Sequence, residues 1–299
     1  MTSISASAEF TTAHATRVAC QAAALVGLQS EPAEPVRLGS NAIVRLPGGV
    51  IARVGRDESW AATSQREVQL AVALHEAGVP CVQPWPVRQP VAVNGHPVTF
   101  WVEIPGPLEQ PTIAELGTVL RWLHDVGGEF GLPPLDPWAH IPERIEQAPI
   151  RARARETLRD VLDEVRDGWT SVRFELAPGV VHGDAHLGNL VRAARGSAVL
   201  LDLDSACVGP REWDLTPTGL YATSLGWIDR AGYQAFVAAY GGFDVTTAPA
   251  FPLLRRMREL RMTAWIAMHA TESDRLAAEV AHRIACLADP DLPRHWSAR

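Results

Sequence analysis

The sequence predicts an α+β protein of two lobes, a small β-rich N-terminal lobe over residues 1–103 and a larger, mainly helical C-terminal lobe over residues 104–299. Three observations carry this expectation. Short β-type runs separated by glycine-containing turns fill most of the first third. Helical spacing dominates the rest, and Ile104-Pro105-Gly106-Pro107 reads as a linker between the two. A chain of 299 residues that is 47% hydrophobic and 20% charged can also bury a proper core, as one large or two modest domains.

Each element follows from a local signal. An Ala-rich, helix-like segment over residues 12–28 precedes a Pro/Glu-containing break at Glu31 to Pro35. Val36–Leu38, Asn41–Leu46 and Val50–Val54 read as strands, with Pro47-Gly48-Gly49 turning between the last two. A helix is expected from Asp57 to Ala77, stopped by Gly78 with Pro80 just beyond. Pro90–Val93 and Pro97–Val102 flank Asn94-Gly95, the strongest short hairpin signal. Helical spacing then marks Thr112–Val126, Arg151–Trp169, Ala231–Ala239, Pro252–Ala270 and Ser273–Leu287. One β-like island interrupts them, made of Gly179–His182, Asn189–Val191 and Ala198–Leu203.

Composition removes several classes of function. All 27 basic residues other than histidine are arginines. Without lysine there is neither a Walker P-loop nor a pyridoxal Schiff base. The net charge of −7 argues against a general nucleic-acid binder. Cys20, Cys81, Cys207 and Cys286 have no CxxC spacing, which supports neither a disulfide framework nor a cysteine zinc site. No apolar run approaches a membrane span and no signal-peptide pattern opens the chain, so the expectation is a cytoplasmic protein with no membrane partner, monomer or homodimer.

Chemistry concentrates in the island. It reads Val180-Val181-His182-Gly183-Asp184-Ala185-His186-Leu187-Gly188-Asn189 and, after a glycine-containing turn, Leu200-Leu201-Asp202-Leu203-Asp204. Short strands there place carboxylates and a carboxamide at loop ends. One carboxylate can face a substrate hydroxyl, while Asn189 and Asp202 offer the hard oxygens that Mg²⁺ prefers. Phosphoryl transfer needs this division between orienting the acceptor and neutralising the phosphates.

The run His182-Gly183-Asp184 with Asn189, then Leu201-Asp202-Leu203, then Gly209-Pro210-Arg211-Glu212-Trp213-Asp214-Leu215 resembles the catalytic segment of aminoglycoside phosphotransferases and their choline-kinase-like relatives. The resemblance implies a bilobal protein-kinase-like fold and a kinase that moves the γ-phosphoryl group of ATP, or GTP, to a small-molecule hydroxyl with Mg²⁺. It assigns Asp184 as catalytic base or hydroxyl orienter, Asn189 and Asp202 as metal ligands, and His182 as support for the loop. Asp214 becomes a buried acceptor holding the loop backbone.

The same resemblance calls for further parts in the small lobe, and candidates occur in the expected order. Gly39-Ser40-Asn41 lies at a turn suited to phosphates, with Ser40 and Asn41 as nucleotide contacts. Arg53 stands where relatives usually carry lysine, Glu67 follows on the next helix as its carboxylate partner, and Glu103 with Ile104 ends the last strand as the nucleobase hinge. A fork-shaped guanidinium can grip two phosphate oxygens and a carboxylate at once but is no compact point charge. Read without the resemblance, Arg53 is a strand arginine snorkelling to solvent.

Two rival readings remain at this level. His182, Asp184 and His186 alternate along an extended segment and could meet a zinc ion with His124, as in a metal-dependent hydrolase. That reading leaves Asn189, Asp202 and the small lobe without a role. A catalytically silent kinase-fold binding protein is the other, favoured by Arg53 and opposed by the intact Asp184, Asn189 and Asp202 set. His124 otherwise reads as a helix-end histidine, and Asp204 as either a second metal ligand or a solvated carboxylate. The arginines at 151, 153, 155 and 159 read as a solvated helix with i,i+4 pairs, and those at 255, 256, 258 and 261 as a partly paired surface or a contact for an anionic group. Trp213, Trp227 and Trp265 fit either core or an acceptor pocket. Residues 104–299 carry 26 Asp+Glu against 20 Arg, a thin excess for a polycationic aminoglycoside. An antibiotic or sugar-containing acceptor of lower charge fits at least as well, with inactivation of an antibiotic as the expected outcome.

Overall fold

Strand runs and turns of the first third close into an antiparallel sheet in a computed structural model that describes residues 10–193 and 196–298. Helix α1 (Thr12–Leu25) is capped by the Thr11 hydroxyl and is followed by β1 (Glu34–Leu38), β2 (Asn41–Leu46) and β3 (Val50–Gly55). Asp57 accepts from the Ser59 amide and starts a 3₁₀ turn at Glu58–Trp60, so the expected helix from Asp57 begins as α2 only at Ala61 and ends at Glu76. The hairpin β4 (Val91–Val93) and β5 (His96–Val102) completes a five-stranded sheet of order β1-β2-β3-β5-β4. The fully buried alanines of α1, among them Ala15, Ala19 and Ala22, pack on β-branched residues of this sheet; small side chains let the helix approach closely.

Beyond the linker come β6 (Leu108–Glu109), α3 (Ile113–Asp125), α4 (Ile141–Gln147) and α5 (Ala152–Trp169). The island follows as β7 (Gly179–Val181), β8 (Leu190–Ala193), β9 (Ala198–Leu200) and β10 (Cys207–Gly209). The chain ends in α6 (Glu212–Thr223), α7 (Arg230–Tyr240), α8 (Phe251–Ala267) and α9 (Asp274–Ala288). Sequence periodicity missed α4, which is only two turns long. It also missed α6, which holds Pro217 and is buried along nearly its whole length, leaving no amphipathic stripe to detect.

By packing, the chain divides into two compact units. The first runs to Pro111 and adds residues 126–132 and Leu187–Ala206; the second holds Thr112–Asp125, Pro133–His186 and the chain from Cys207 onward. The linker region therefore continues into β6, which pairs with β8 in a three-stranded sheet of order β6-β8-β9 inside the first unit. In the second unit β7 pairs antiparallel with β10, and a buried cluster of α4, α5, α8 and α9 residues such as Ile145, Leu158, Leu260 and Ile284 forms the core. Among the described residues no helix is long and apolar enough to cross a membrane.

Candidate active site

In the first unit, the Arg53 guanidinium is the centre. β3 pairs with β2 and β5 on either side, which fixes Arg53 opposite Ile43 and Thr99. Its Nη1 donates to Glu67 of α2, and its Nη2 donates to Asp202 at 2.8 Å and Asp204 at 2.7 Å. With its amide oxygen turned toward the guanidinium, Asn41 accepts from Nη2 at 2.7 Å and Nε at 3.0 Å. One cation thus faces three carboxylates, while its side chain is only 13% exposed. Burial opposes the Arg53 charge, but Glu67, Asp202 and Asp204 outweigh it and hold the guanidinium ionised. Burial pushes the Glu67 carboxyl up to about 7 against the pull of Arg53, and burial together with neighbouring Asp202 raises Asp204.

Asp202 sits in the left-handed region at φ 58°, a conformation that few non-glycine residues hold without support from their surroundings. The Leu201 amide donates to the Asn189 carbonyl at 2.9 Å, so the two proposed metal ligands lie at adjoining strand ends. Their oxygens suit Mg²⁺, which takes one or two protein carboxylates and leaves its other positions to phosphates and water. Among the described residues, no group of three or more His, Cys, Asp or Glu could cage a metal on its own.

In the second unit the centre is Asp184. Gly183, at φ +85°, makes the turn that ends β7 and presents Asp184. The fully buried Asp214 carboxylate accepts from the backbone amides of His182 at 2.6 Å and Gly183 at 2.9 Å. His124 Nε2 lies 3.1 Å from the same carboxylate, and its Nδ1 lies 2.8 Å from the Tyr240 hydroxyl. α3, the helix that carries His124, starts at a reciprocal Thr112–Glu115 capping box. The buried His182 ring accepts from the Asp184 amide at 3.3 Å, and Trp213 Nε1 donates to the Gly183 carbonyl at 3.0 Å. Asp184 itself accepts from Arg258 at 2.9 Å and has His186 3.6 Å away on its other oxygen. Burial alone would raise its pKa, yet His186 and Arg258 together hold it well below the usual carboxylate range.

Several expectations change on this evidence. His124 is no zinc ligand, since both ring nitrogens are engaged by Asp214 and Tyr240. Asp204 is not solvated but pinned by Arg53, and Arg53 does not snorkel. Arg159 pairs with Glu146 of α4 rather than along its own helix, and Arg155 donates to the α4 carbonyl of Ile145 and the following Ala148. Trp213 is buried against the loop, Trp227 donates to the Trp296 carbonyl, and Trp265 is exposed beside His269. The remaining nucleotide candidates sit apart from the guanidinium. Ser40 is exposed in the β1–β2 turn, Glu103 accepts from Arg45 at 2.6 Å while its amide donates to Gly49, and Ile104 follows it in the linker. Sequence reasoning missed Arg258 as the partner of Asp184, because it stands in a run of four arginines that resembles a charged surface.

The first unit thus holds a cation tied among carboxylates and the second a buttressed, ionised aspartate on a tight loop, groups of the kind that phosphoryl transfer can use. The chain belongs to the phosphotransferase enzyme family, whose sequence pattern matches residues 38–260. It is an ATP-dependent phosphotransferase acting on hydroxyl groups, a kinase of small molecules. No curated protein matches it in sequence.

Solved structures show the same fold at low identity. An amicoumacin kinase, hAmiN, determined with AMP-PNP, Ca²⁺ and Ami, superposes with a TM-score of 0.72 at 13% identity, covering 93% of this chain and 94% of the other. A choline/ethanolamine kinase family protein from Mesorhizobium loti gives 0.61 at 19% identity, covering 93% of each chain. An aminoglycoside phosphotransferase determined with GDP and kanamycin gives 0.64 at 16%, covering 93% of this chain and 99% of the other.

Proposed function

We propose that Asp184 orients the acceptor hydroxyl and takes its proton, while Arg53, Asn189 and Asp202 serve the nucleotide phosphates and their metal. The observation that carries this reading is the loop anchorage: Asp214 engages two consecutive backbone amides and so fixes Asp184 at the end of β7. A largely dissociative transition state leaves little for a base to do early, so Asp184 contributes by placing the hydroxyl oxygen and receiving its proton late. Its depressed pKa keeps it ionised for that role. Asn189 and Asp202 would hold the Mg²⁺, which when bound would supply charge neutralisation at the phosphates. Glu67 holds Arg53 in place, the Ser40 turn and Asn41 face the phosphate side, and Glu103 with Ile104 receives the base of ATP, with GTP as the competitor. The acceptor is a sugar-containing antibiotic or metabolite carrying few positive charges.

Asp184→Asn tests the assignment. Loss of kcat by about 10²–10⁴-fold with nucleotide affinity intact is the expected result. A large loss of nucleotide binding instead would show that the role is misassigned. A panel of hydroxylated antibiotics and sugars, screened by mass for ATP-dependent gain of one phosphate, identifies the acceptor.

A further inference from the structure

The surroundings of Asp184 contain more positive charge than the carboxylate needs. Arg258 and Arg261 stand three residues apart on one face of α8, and Arg144 projects from α4, which packs against α8. Arg258 uses Asp184 as its partner, yet its Nε is buried with no hydrogen-bond acceptor among the described residues. Arg261 donates to the Pro137 carbonyl at 3.2 Å and lies over the Trp213 ring at 5.4 Å. Among the described residues neither Arg144 nor Arg261 has a carboxylate within ion-pair distance, although the chain has 34 to offer. Burial and the neighbouring Arg258 bring Arg261 down to about 10, and burial lowers Arg144 as well. Asp184 attracts both groups, with Glu143 near Arg144 and Asp136 near Arg261, but burial outweighs that pull. Three partly desolvated guanidinium groups around one carboxylate are costly, and a cluster that persists in an acidic protein fits a second anion supplied from outside.

We infer that the acceptor carries an anionic group, a carboxylate or a phosphate, which Arg144 and Arg261 bind beside Asp184. This rests on the kinase reading above and names the substrate class within it. Arg261 is suited to the task. Its guanidinium lies over the Trp213 ring, and Trp213 is itself hydrogen-bonded to the loop through Gly183, so the fork-shaped donor is tied to the loop that presents Asp184. Arg258 remains the positioning partner of Asp184. The arrangement also disfavours cations: a polycationic aminoglycoside or the single ammonium of choline would meet like charge.

The test separates this inference from the kinase reading. The full-length protein is titrated with glucuronate, glucose and glucosamine, one sugar frame in three charge states, and separately with inorganic phosphate. Each titration is run with and without saturating Mg²⁺·AMP-PNP, and thermal stabilisation gives the apparent Kd. Binding of AMP-PNP reports on the kinase reading alone. Glucuronate and phosphate are expected to stabilise the AMP-PNP-bound protein, with glucosamine weakest. The Arg144→Gln/Arg261→Gln variant should lose at least about 10-fold in anion affinity, as expected for removed charge-assisted bonds. Its circular dichroism and AMP-PNP affinity should stay unchanged. Failure of both anions to stabilise the protein, preference for glucosamine, or equal anion affinity in the double variant would each overturn the inference.

Discussion

The two charged centres are built as opposites. Around Arg53 a single guanidinium faces Glu67, Asp202 and Asp204, whereas around Asp184 a single carboxylate is surrounded by Arg258, His186, Arg144 and Arg261. On the roles proposed above, the carboxylate-rich centre would take a further cation and the arginine-rich centre an anion. Phosphoryl transfer makes use of both kinds of charge, one at the phosphates and the other at the acceptor. In each half the lone ion of opposite sign keeps the like charges together, so removing it should do more harm than removing one of its partners.

After Asp184→Asn, Arg53→Ala is the most severe break. Three carboxylates would lose their shared partner, and we expect the nucleotide KM to rise by at least about 10-fold, the loss of more than one charge-assisted bond. The acceptor KM should stay unchanged. Arg53→Lys should recover only part, because a single ammonium cannot serve Glu67, Asp202, Asp204 and Asn41 in one plane. Steady-state kinetics at varied ATP decides the matter, and an unchanged nucleotide KM in Arg53→Ala would reject the placement.

Why Arg53 and Asp184 could be found in the sequence, and Arg258 could not, has a physical reason. Asp184 follows a strand and a glycine in a run that resembles the family's catalytic segment, and the same resemblance singles out Arg53 as the cation of the third strand, so contiguous motifs mark both. Partnership is a tertiary property. Arg53 and Asp204 are 151 positions apart, and Arg258 and Asp184 are 74 apart. Arg258 also sits among Arg255, Arg256 and Arg261, where composition suggests solvent, and only the packing of α8 shows which of the four turns inward. α4 was hidden because two turns are too short for a period to show, and α6 because a helix buried along nearly its whole length has no polar face.

The arginine-rich half is broken at Arg258. In the wild type, burial disfavours the Asp184 charge, but His186 and Arg258 more than compensate. A carboxylate with a depressed folded pKa loses function, and its share of stability, only as pH falls through that low value. The wild-type kcat should therefore show no acid limb from Asp184 between about pH 5 and 8, above the ordinary aspartate value of about 3.9. Arg258→Met leaves burial unopposed except by His186, with Arg144 and Arg261 more remote, and an acid limb should move into the measurable range. A pH profile of kcat at saturating ATP that stays flat in Arg258→Met would show that Arg258 does not hold Asp184 ionised.

The mildest perturbation reaches the same half from a distance. Gly117 lies where α3 crosses α7, and a Cβ there would come 2.6 Å from the Phe236 carbonyl oxygen, backbone that cannot turn aside. Gly117→Ala must therefore part the two helices slightly, at a cost of about 1–3 kcal/mol typical of overpacking. α3 carries His124 and α7 carries Tyr240, the pair that braces Asp214 beneath the Asp184 loop. A lowered Tm should thus be accompanied by a modest fall in kcat, while the nucleotide KM, which depends on the Arg53 centre, stays put. If the nucleotide KM rose in step with the loss of kcat, the two halves would not be the separate modules that their opposite charge suggests.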